Sequence, residues 1–515
     1  MCVQKIKYSI GVFVACLVCA CAPPRADESN SSDNAVPQPS QASTITLPDS
    51  PLPKASAAFR DADAPPLGSN VVIVVVDALR ADRLGAYGYS KNTSPMIDEL
   101  AAQGTLFHRF YAAAPWTAPA FGTIFTGVAP SVHWAGKVVS AEDAPALKTH
   151  TKQIHGFSLY PIASQVQTMA EALSCCVDIT GAIVSNPFLH PSLGYNRGFT
   201  EYDYDMLARD AQTVSDHAIT WLNAHAQQQF MLLIHYMDVH QPYAPDLSYQ
   251  KEFFPMDAGR IQIPMELPLA QLQKMKLTST ELAYIKGLYD AEIRKVDTHL
   301  GRVIDTMKTL GLLENTWLVI TADHGTEHND HGSFYHGLQY EDEVTRIPLI
   351  VRAPGGIWGA GNQVVYSASQ QDLMPTVLDW FGVKAPAYVE GRSLVPLMTG
   401  DEKKDRPCYM EMSRMRDDPR SNIEKRFRKR ALFDGRYKTI QTEDSAQAWL
   451  YDLDRDPEER LSLPPRYPAF VKSVRQLERE VARQLERAES IGASSKIQTL
   501  PNDVGESLKN LGYVE

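Results

Sequence analysis

The stretch Val71-Val72-Ile73-Val74-Val75-Val76-Asp77 decides the fold of this chain. An unbroken apolar, mostly β-branched run cannot alternate between a wet and a dry face. It fits a strand covered on both sides, as in a parallel sheet, and here it ends on an acid. Similar short runs recur at Ala182-Ile183-Val184, Met231-Leu232-Leu233-Ile234, Trp317-Leu318-Val319-Ile320 and Pro348-Leu349-Ile350-Val351. Helical patterns lie between them. From Glu281 to Leu310, apolar residues fall at Leu282, Ile285, Leu288, Ile293, Val296, Leu300, Val303, Ile304 and Met307, close to a helical repeat. Thr278 followed by Glu281 predicts a capping box, and Gly311 predicts the stop. Strands alternating with helices predict an α/β fold, a mostly parallel central sheet with helices on both faces.

After residue 385 the texture changes. Strands shorten and turns become frequent, as in Asp434-Gly435-Arg436 and Asp452-Leu453-Asp454-Arg455-Asp456-Pro457, with an amphipathic helix from about Phe470 to Ala488. A smaller C-terminal α+β subdomain over 386–515 is expected after a main domain over 67–385. With 515 residues, 44% of them hydrophobic, the chain can bury a large core in more than one domain.

The N-terminus reads as a targeting segment. Lys5 and Lys7 precede an apolar stretch from Ile10 to Val18, then Val18-Cys19-Ala20-Cys21. A basic region, a short apolar region and small residues make a secretory signal peptide, too short to span a bilayer as a helix. A Cys directly after Ala20 resembles a bacterial lipobox. Residues 1–20 are then a lipoprotein signal peptide, and Cys21 is the lipidated residue of an exported, envelope-anchored protein. An ordinary signal peptide cut near Ala22 is the alternative. Residues 21–66, rich in Pro, Ser, Ala and Asp, read as a disordered tether.

The net charge is −11, and the one dense basic run is Lys425-Arg426-Phe427-Arg428-Lys429-Arg430. That excludes a nucleic-acid surface, which needs clustered cations. The run reads as a solvated face or loop, with contact to anionic lipid or substrate as the alternative. Four of the seven cysteines lie in the first 21 residues, and Cys175, Cys176 and Cys408 form no disulfide framework. They are expected to act as small buried hydrophobes.

The chemistry-bearing residues follow strands. Asp77 ends the first run, and Asp323-His324-Gly325 ends the run from Trp317. In open parallel sheets ligands bind beyond the carboxyl ends of the strands, so two acids and an imidazole there can converge on one metal. Each Asp alone also suits a helix cap or turn. The segment Asp323 to Gly337 packs His324, His328, His331 and His336 among acids, a density that core packing does not need. Imidazole and carboxylate suit a divalent cation, Zn or Mn, or Ca or Mg where oxygen ligands dominate. His328 and His331 read as supporting or surface groups. His240 also falls after a strand, in His235-Tyr236-Met237-Asp238-Val239-His240-Gln241-Pro242-Tyr243, where a plain loop histidine is the alternative. Thr117, in Ala114-Pro115-Trp116-Thr117-Ala118-Pro119-Ala120, reads as a helix N-cap or as a hydroxyl nucleophile at the positive end of a helix, and the two need not compete.

Taken in order these segments resemble the sulfatase family of the alkaline phosphatase superfamily. Asp77-Ala78-Leu79-Arg80-Ala81-Asp82-Arg83-Leu84-Gly85 resembles its opening metal motif, and Trp116-Thr117-Ala118-Pro119 with Thr126-Gly127 its nucleophile segment. Asp238 to Tyr243 resembles its substrate-histidine loop, and Asp323 to Gly337 its second metal motif. Asp372-Leu373-Met374-Pro375-Thr376, Gly391-Arg392-Ser393-Leu394, Leu450-Tyr451-Asp452-Leu453 and Leu511-Gly512-Tyr513-Val514 match in kind, so the resemblance runs from about residue 70 to the end.

The resemblance implies metal ligands at Asp77, Asp323 and His324, catalytic roles for Thr117, His240 and His336, and contact of Asn186 with the substrate anion. It also has departures. Sulfatases proper carry Cys or Ser at the position of Thr117, oxidised to formylglycine, and Arg at that of Phe121. A secondary alcohol yields no aldehyde, so no formylglycine is expected. Thr there resembles the phospho-transfer branch of the superfamily. Ala78 replaces a second acid, which argues against a calcium site of sulfatase type. The expected activity is metal-dependent hydrolysis or transfer of a phosphoester or phosphodiester. A sulfuric ester hydrolase and a non-catalytic surface lipoprotein are the alternatives. The expected substrate is a small anionic ester, on a glycan or a lipid headgroup among others, with the membrane met through the lipid anchor.

Overall fold

The computed structural model describes residues 69–136, 158–204, 209–254, 275–356, 359–418, 423–442, 447–493 and 498–499. The signal peptide, the tether and Cys21 lie outside them, as does the stretch Leu511 to Val514. The central sheet has eight strands: β1 (Asn70–Val76), β2 (Thr105–Phe107), β3 (Ile179–Val184), β4 (Glu201–Tyr204), β5 (Phe230–Tyr236), β6 (Thr316–Ala322), β7 (Leu349–Arg352) and β8 (Asn362–Val364). Their order across the sheet is β8-β2-β7-β6-β1-β5-β3-β4. All run parallel except β7, which is antiparallel to both β6 and β2. Every residue of β1, β3, β5 and β6 is buried, so both faces of the sheet centre are covered, as the unbroken apolar runs require.

The covering helices follow their sequence signals. The helix predicted from Glu281 spans α4 (Ser279–Thr309), with the Thr278–Glu281 capping box in place and Gly311 at a φ of 68° just past its end. It lies against α3 (Ala211–His225) and α1 (Pro95–Ala102), whose Met96 and Ile97 amides donate to the buried Asp297 carboxylate. α2 (Thr117–Thr126) is buried along its whole length and packs near α5 (Leu373–Trp380).

The expected C-terminal α+β region is a four-stranded antiparallel meander, β9 (Cys408–Asp418), β10 (Ile423–Phe433), β11 (Tyr437–Thr442) and β12 (Ala448–Asp452), followed by α6 (Pro468–Ser490). The basic run 425–430 is strand rather than loop. Lys429 donates to Leu338 O at 3.1 Å, and the side chains of 425–428 are outside the described residues. Cys408 is buried as expected. Cys175 is exposed and Cys176 half-buried, because the pair sits in the turn after the short helix Met169–Leu173 rather than on its buried face.

The meander is joined to the segments that carry the chemistry. Glu411 N donates to Ala113 O at 3.0 Å, just ahead of α2. Lys438, fully buried, donates to Tyr340 O at 3.1 Å and pairs with Asp342 at 2.5 Å and Glu459 at 2.9 Å. Burial pushes the Glu459 carboxyl up to about 8, so the ammonium is what keeps this group of acids tolerable. Removing one partner of such a buried group leaves uncompensated charge. Lys438→Ala should therefore destabilise the fold by about 3–5 kcal/mol, read as a lowered urea midpoint at unchanged slope. A loss below about 1 kcal/mol would show that the meander is not held there.

Candidate active site

Sheet register brings the two acids together. β1 and β6 are parallel with Val76 beside Ala322, so the next residues, Asp77 and Asp323, leave the sheet side by side at its carboxyl edge. Asp77 N still donates to Tyr236 O at 2.9 Å, and the chain then turns through Ala78 at a φ of 57°. A left-handed alanine is strained. It is held by Tyr289, whose hydroxyl donates to Ala78 O at 2.8 Å, while Ala78 N donates to Asp323 Oδ1 at 3.1 Å. Gly325 is required by close packing, since a Cβ there would lie 2.1 Å from Glu343 O.

The hydrogen bonds assign each ligand atom. Asp323 Oδ1 accepts from Ala78 N and from His324 N at 2.8 Å, while Oδ2 is buried with no hydrogen-bond partner. Asp77 Oδ2 accepts from Asn186 Nδ2 at 2.8 Å and lies 3.3 Å from His235 Nε2, while Oδ1 is buried and unpartnered. His324 Nδ1 donates to Gly325 O at 2.8 Å, which leaves a lone pair on Nε2. That nitrogen is 3.3 Å from Asp323 Oδ2, 3.7 Å from Asp77 Oδ1 and 3.4 Å from Thr117 Oγ1. Each carboxylate has one oxygen satisfied and one bare, and the bare oxygens, the imidazole lone pair and the hydroxyl share one centre.

These residues fit a divalent cation. Asp77, Asp323 and His324 offer three ligand atoms within 4.8 Å of one another, all fully buried. Bare carboxylate oxygens without water or cation are costly. Burial and the neighbouring Asp77 charge push the Asp323 carboxyl up to about 6. Asp77 goes the other way, to about 2, because the His235 contact and the His240 and His324 rings outweigh its burial. Two buried acids pulled apart in this way can both ionise once a cation lies between them.

Thr117 is the first residue of α2, not its cap. Trp116 holds the cap position, and the Thr117 hydroxyl makes no capping bond. It faces His324 Nε2 and the bare carboxylate oxygens from the positive end of the helix. His240 is buried and donates from Nδ1 to Gln241 O at 2.5 Å. Burial pushes its imidazole down to about 4, so near pH 7 it is neutral and takes a second proton only beside a bound anion. The His336 ring lies 4.2 Å from that of His324 and 4.8 Å from that of His240, centre to centre. The structure thus gathers Asp77, Thr117, His240, Asp323, His324 and His336. Asn186, expected at the substrate, instead turns its amide to Asp77 and to Met237 Sδ at 3.4 Å, and so orients a ligand carboxylate. His328 accepts from or donates to Tyr243 OH at 2.9 Å, and His331 pairs with Glu343 at 3.2 Å, both outside the cluster as expected.

Two residues escaped the sequence reading. His235 is a histidine buried inside the apolar strand β5, beside Val75 of β1, and a polar residue buried in such a strand is a signal that it has a partner. Its ring packs on Phe121, centre to centre at 5.2 Å. Gln370, fully buried, joins three segments: it accepts from Ala113 N at 2.9 Å and donates to Ala322 O at 3.1 Å and Asp323 O at 2.7 Å. Nothing in its sequence context marks it. If His235 and Asn186 fix which Asp77 oxygen stays bare, His235→Ala should weaken divalent-metal binding by roughly 10–100-fold. The metal concentration at half-maximal thermal shift measures this, and an unchanged value would remove His235 from the site.

Comparison with known proteins identifies the family. The family model described as Sulfatase matches residues 69–383, and that of the N-sulphoglucosamine sulphohydrolase C-terminal region matches residues 329–507. Mouse arylsulfatase K is 24% identical over 484 residues, covering 86% of this chain and 85% of its own. A phosphonate monoester hydrolase of Agrobacterium radiobacter superposes with a TM-score of 0.63 at 20% identity, over 81% of this chain and 96% of that one. A 2-O GAG sulfatase gives a TM-score of 0.63 at 18% identity, over 85% and 96%. A model that matches well over half of the chain, on the fold and around the cluster described above, settles the family: the chain belongs to the sulfatase family of the alkaline phosphatase superfamily, a family of ester hydrolases.

Proposed function

We propose that this chain is a metal-dependent hydrolase or transferase of phosphate esters or diesters, with Thr117 as nucleophile. The observation that carries the reading is the Thr117 hydroxyl, 3.4 Å from His324 Nε2 and beside the bare oxygens of Asp77 and Asp323. Asp77, Asp323 and His324 would hold the cation, Zn, Mn, Ca or Mg. When bound, it supplies positive charge that lowers the pKa of an adjacent hydroxyl.

Thr117 gives up its hydroxyl proton to water, its Oγ attacks phosphorus in line, the bond from oxygen to phosphorus forms, and the bond to the leaving alkoxide breaks. His240 or His336, charged once the substrate anion is beside it, gives the alkoxide its proton. Water or an acceptor alcohol then attacks the phospho-Thr117 and frees the hydroxyl. A Thr ester lacks the elimination route open to a hydrated aldehyde, which is why phosphoryl chemistry is favoured. A relative named arylsulfatase K and a solved 2-O GAG sulfatase favour the second reading, a sulfuric ester hydrolase that works without formylglycine. Either way the substrate is a small anionic ester, a glycan or lipid headgroup being compatible.

Screening p-nitrophenyl phosphate, its diester and its sulfate against Zn, Mn, Mg and Ca separates the readings. Turnover of the phosphates is expected to exceed that of the sulfate, and the reverse order would reject phosphate specificity. Thr117→Ala should abolish turnover while metal content stays at the wild-type level, whereas Asp323→Asn should lose both. Wild-type turnover in Thr117→Ala would remove the nucleophile assignment. We also propose that Cys21 carries a lipid that anchors the exported chain to a bacterial membrane. Cys21→Ala should move the protein from the membrane to the soluble envelope fraction, and unchanged membrane association would reject the anchor.

A further inference from the structure

A second feature borders the segment that carries Thr117. A cavity of about 440 Å³ is walled by Trp116 and Pro119, which flank Thr117, by Trp134, by Met412 and Arg430 of the meander, and by Leu485 of α6. This is the size range of small-molecule sites. Its lining is mostly apolar, with Ser131, Glu411, Arg430 and Glu489 as the polar walls. Glu411, on the wall across the strand pair from Arg430, already accepts from Ser131 N and from Tyr409 OH. Leu485 leaves 47% of its surface exposed at the wall. Trp116 is 3% exposed, yet its indole N–H has no hydrogen-bond partner among the described residues. A buried donor aimed at nothing is costly unless a ligand oxygen meets it.

We propose that this cavity binds the alcohol half of the substrate, and that this half is an aryl or alkyl group bearing an acceptor oxygen. The assignment rests on the ester-hydrolase reading above and adds the substrate class to it. Two indoles, a thioether and a leucine suit a flat apolar group. Trp116 and Pro119 bracket Thr117 in the chain, which ties the cavity to the nucleophile segment, and the unpartnered Trp116 N–H is a donor available to an acceptor oxygen. A highly charged oligosaccharide would find a single guanidinium, Arg430, among the described walls.

The test uses the full chain and 1-naphthol, which carries the apolar half without the ester. Calorimetry should show saturable binding to the wild type and to Thr117→Ala. Binding should weaken at least tenfold in Ala488→Trp, which fills the cavity from α6, and in Leu485→Glu, an exposed change that spares the fold. Among whatever esters the enzyme turns over, the kcat/KM advantage of the 1-naphthyl over the methyl ester should fall by the same factor in Ala488→Trp. Naphthol binding that is absent from the wild type, or indifferent to both variants, would overturn the proposal. Failure of the hydrolase reading looks different: no ester is turned over while naphthol still binds and the cavity variants still lose it, which keeps the cavity assigned to an apolar ligand.

Discussion

Two carboxylates, buried side by side with one bare oxygen each, set the terms for the rest of this molecule. Burying one ionised acid is unfavourable, and burying two together without a counter-charge is more so. Asp77 Oδ1 and Asp323 Oδ2 have no hydrogen-bond partner, while their sister oxygens are satisfied. That division is built rather than incidental. Ala78 N and His324 N saturate one acid, Asn186 and the His235 ring address the other, and Gly325 O fixes the His324 tautomer so that its lone pair faces inward.

The fold supplies what this constraint needs. The parallel pair β1 and β6, in register at Val76 and Ala322, delivers both acids to one edge of the sheet. A sheet centre buried on both faces keeps that edge fixed, and α2 starts there with Thr117 in its first turn. Gln370 links the end of β6 to the segment ahead of α2, and Glu411 binds that same segment to the C-terminal meander. Rigid strand ends with helix termini between them are how this fold class positions chemistry.

Much of this was legible in the chain. Short unbroken apolar runs fit covered strands, so β1, β5 and β6 were readable, as was the long helix from its period, capping box and glycine. The buried group of Asp77, Asp323 and His324 was readable because acids and imidazole follow those runs. What failed were properties that only packing decides. The antiparallel sense of β7 leaves no trace in a four-residue apolar run. The exposure of Cys175 depends on which side of a turn meets solvent. The contact of the Asn186 amide with Asp77 was not legible, because an amide can address a carboxylate or an anion equally well and only packing chooses. His235 was overlooked, although an ionisable residue within an otherwise apolar strand was the available clue.

The central claim is that these side chains meet at one cation through specified atoms. Diffraction from crystals grown with Mn²⁺ or Zn²⁺, recorded at the metal's absorption edge, tests it directly. The account predicts an anomalous peak about 2.0–2.2 Å from Asp77 Oδ1, Asp323 Oδ2 and His324 Nε2, with the Thr117 hydroxyl facing it. A cation bound through Asp77 Oδ2, or none at this edge of the sheet with metal in excess, would contradict it.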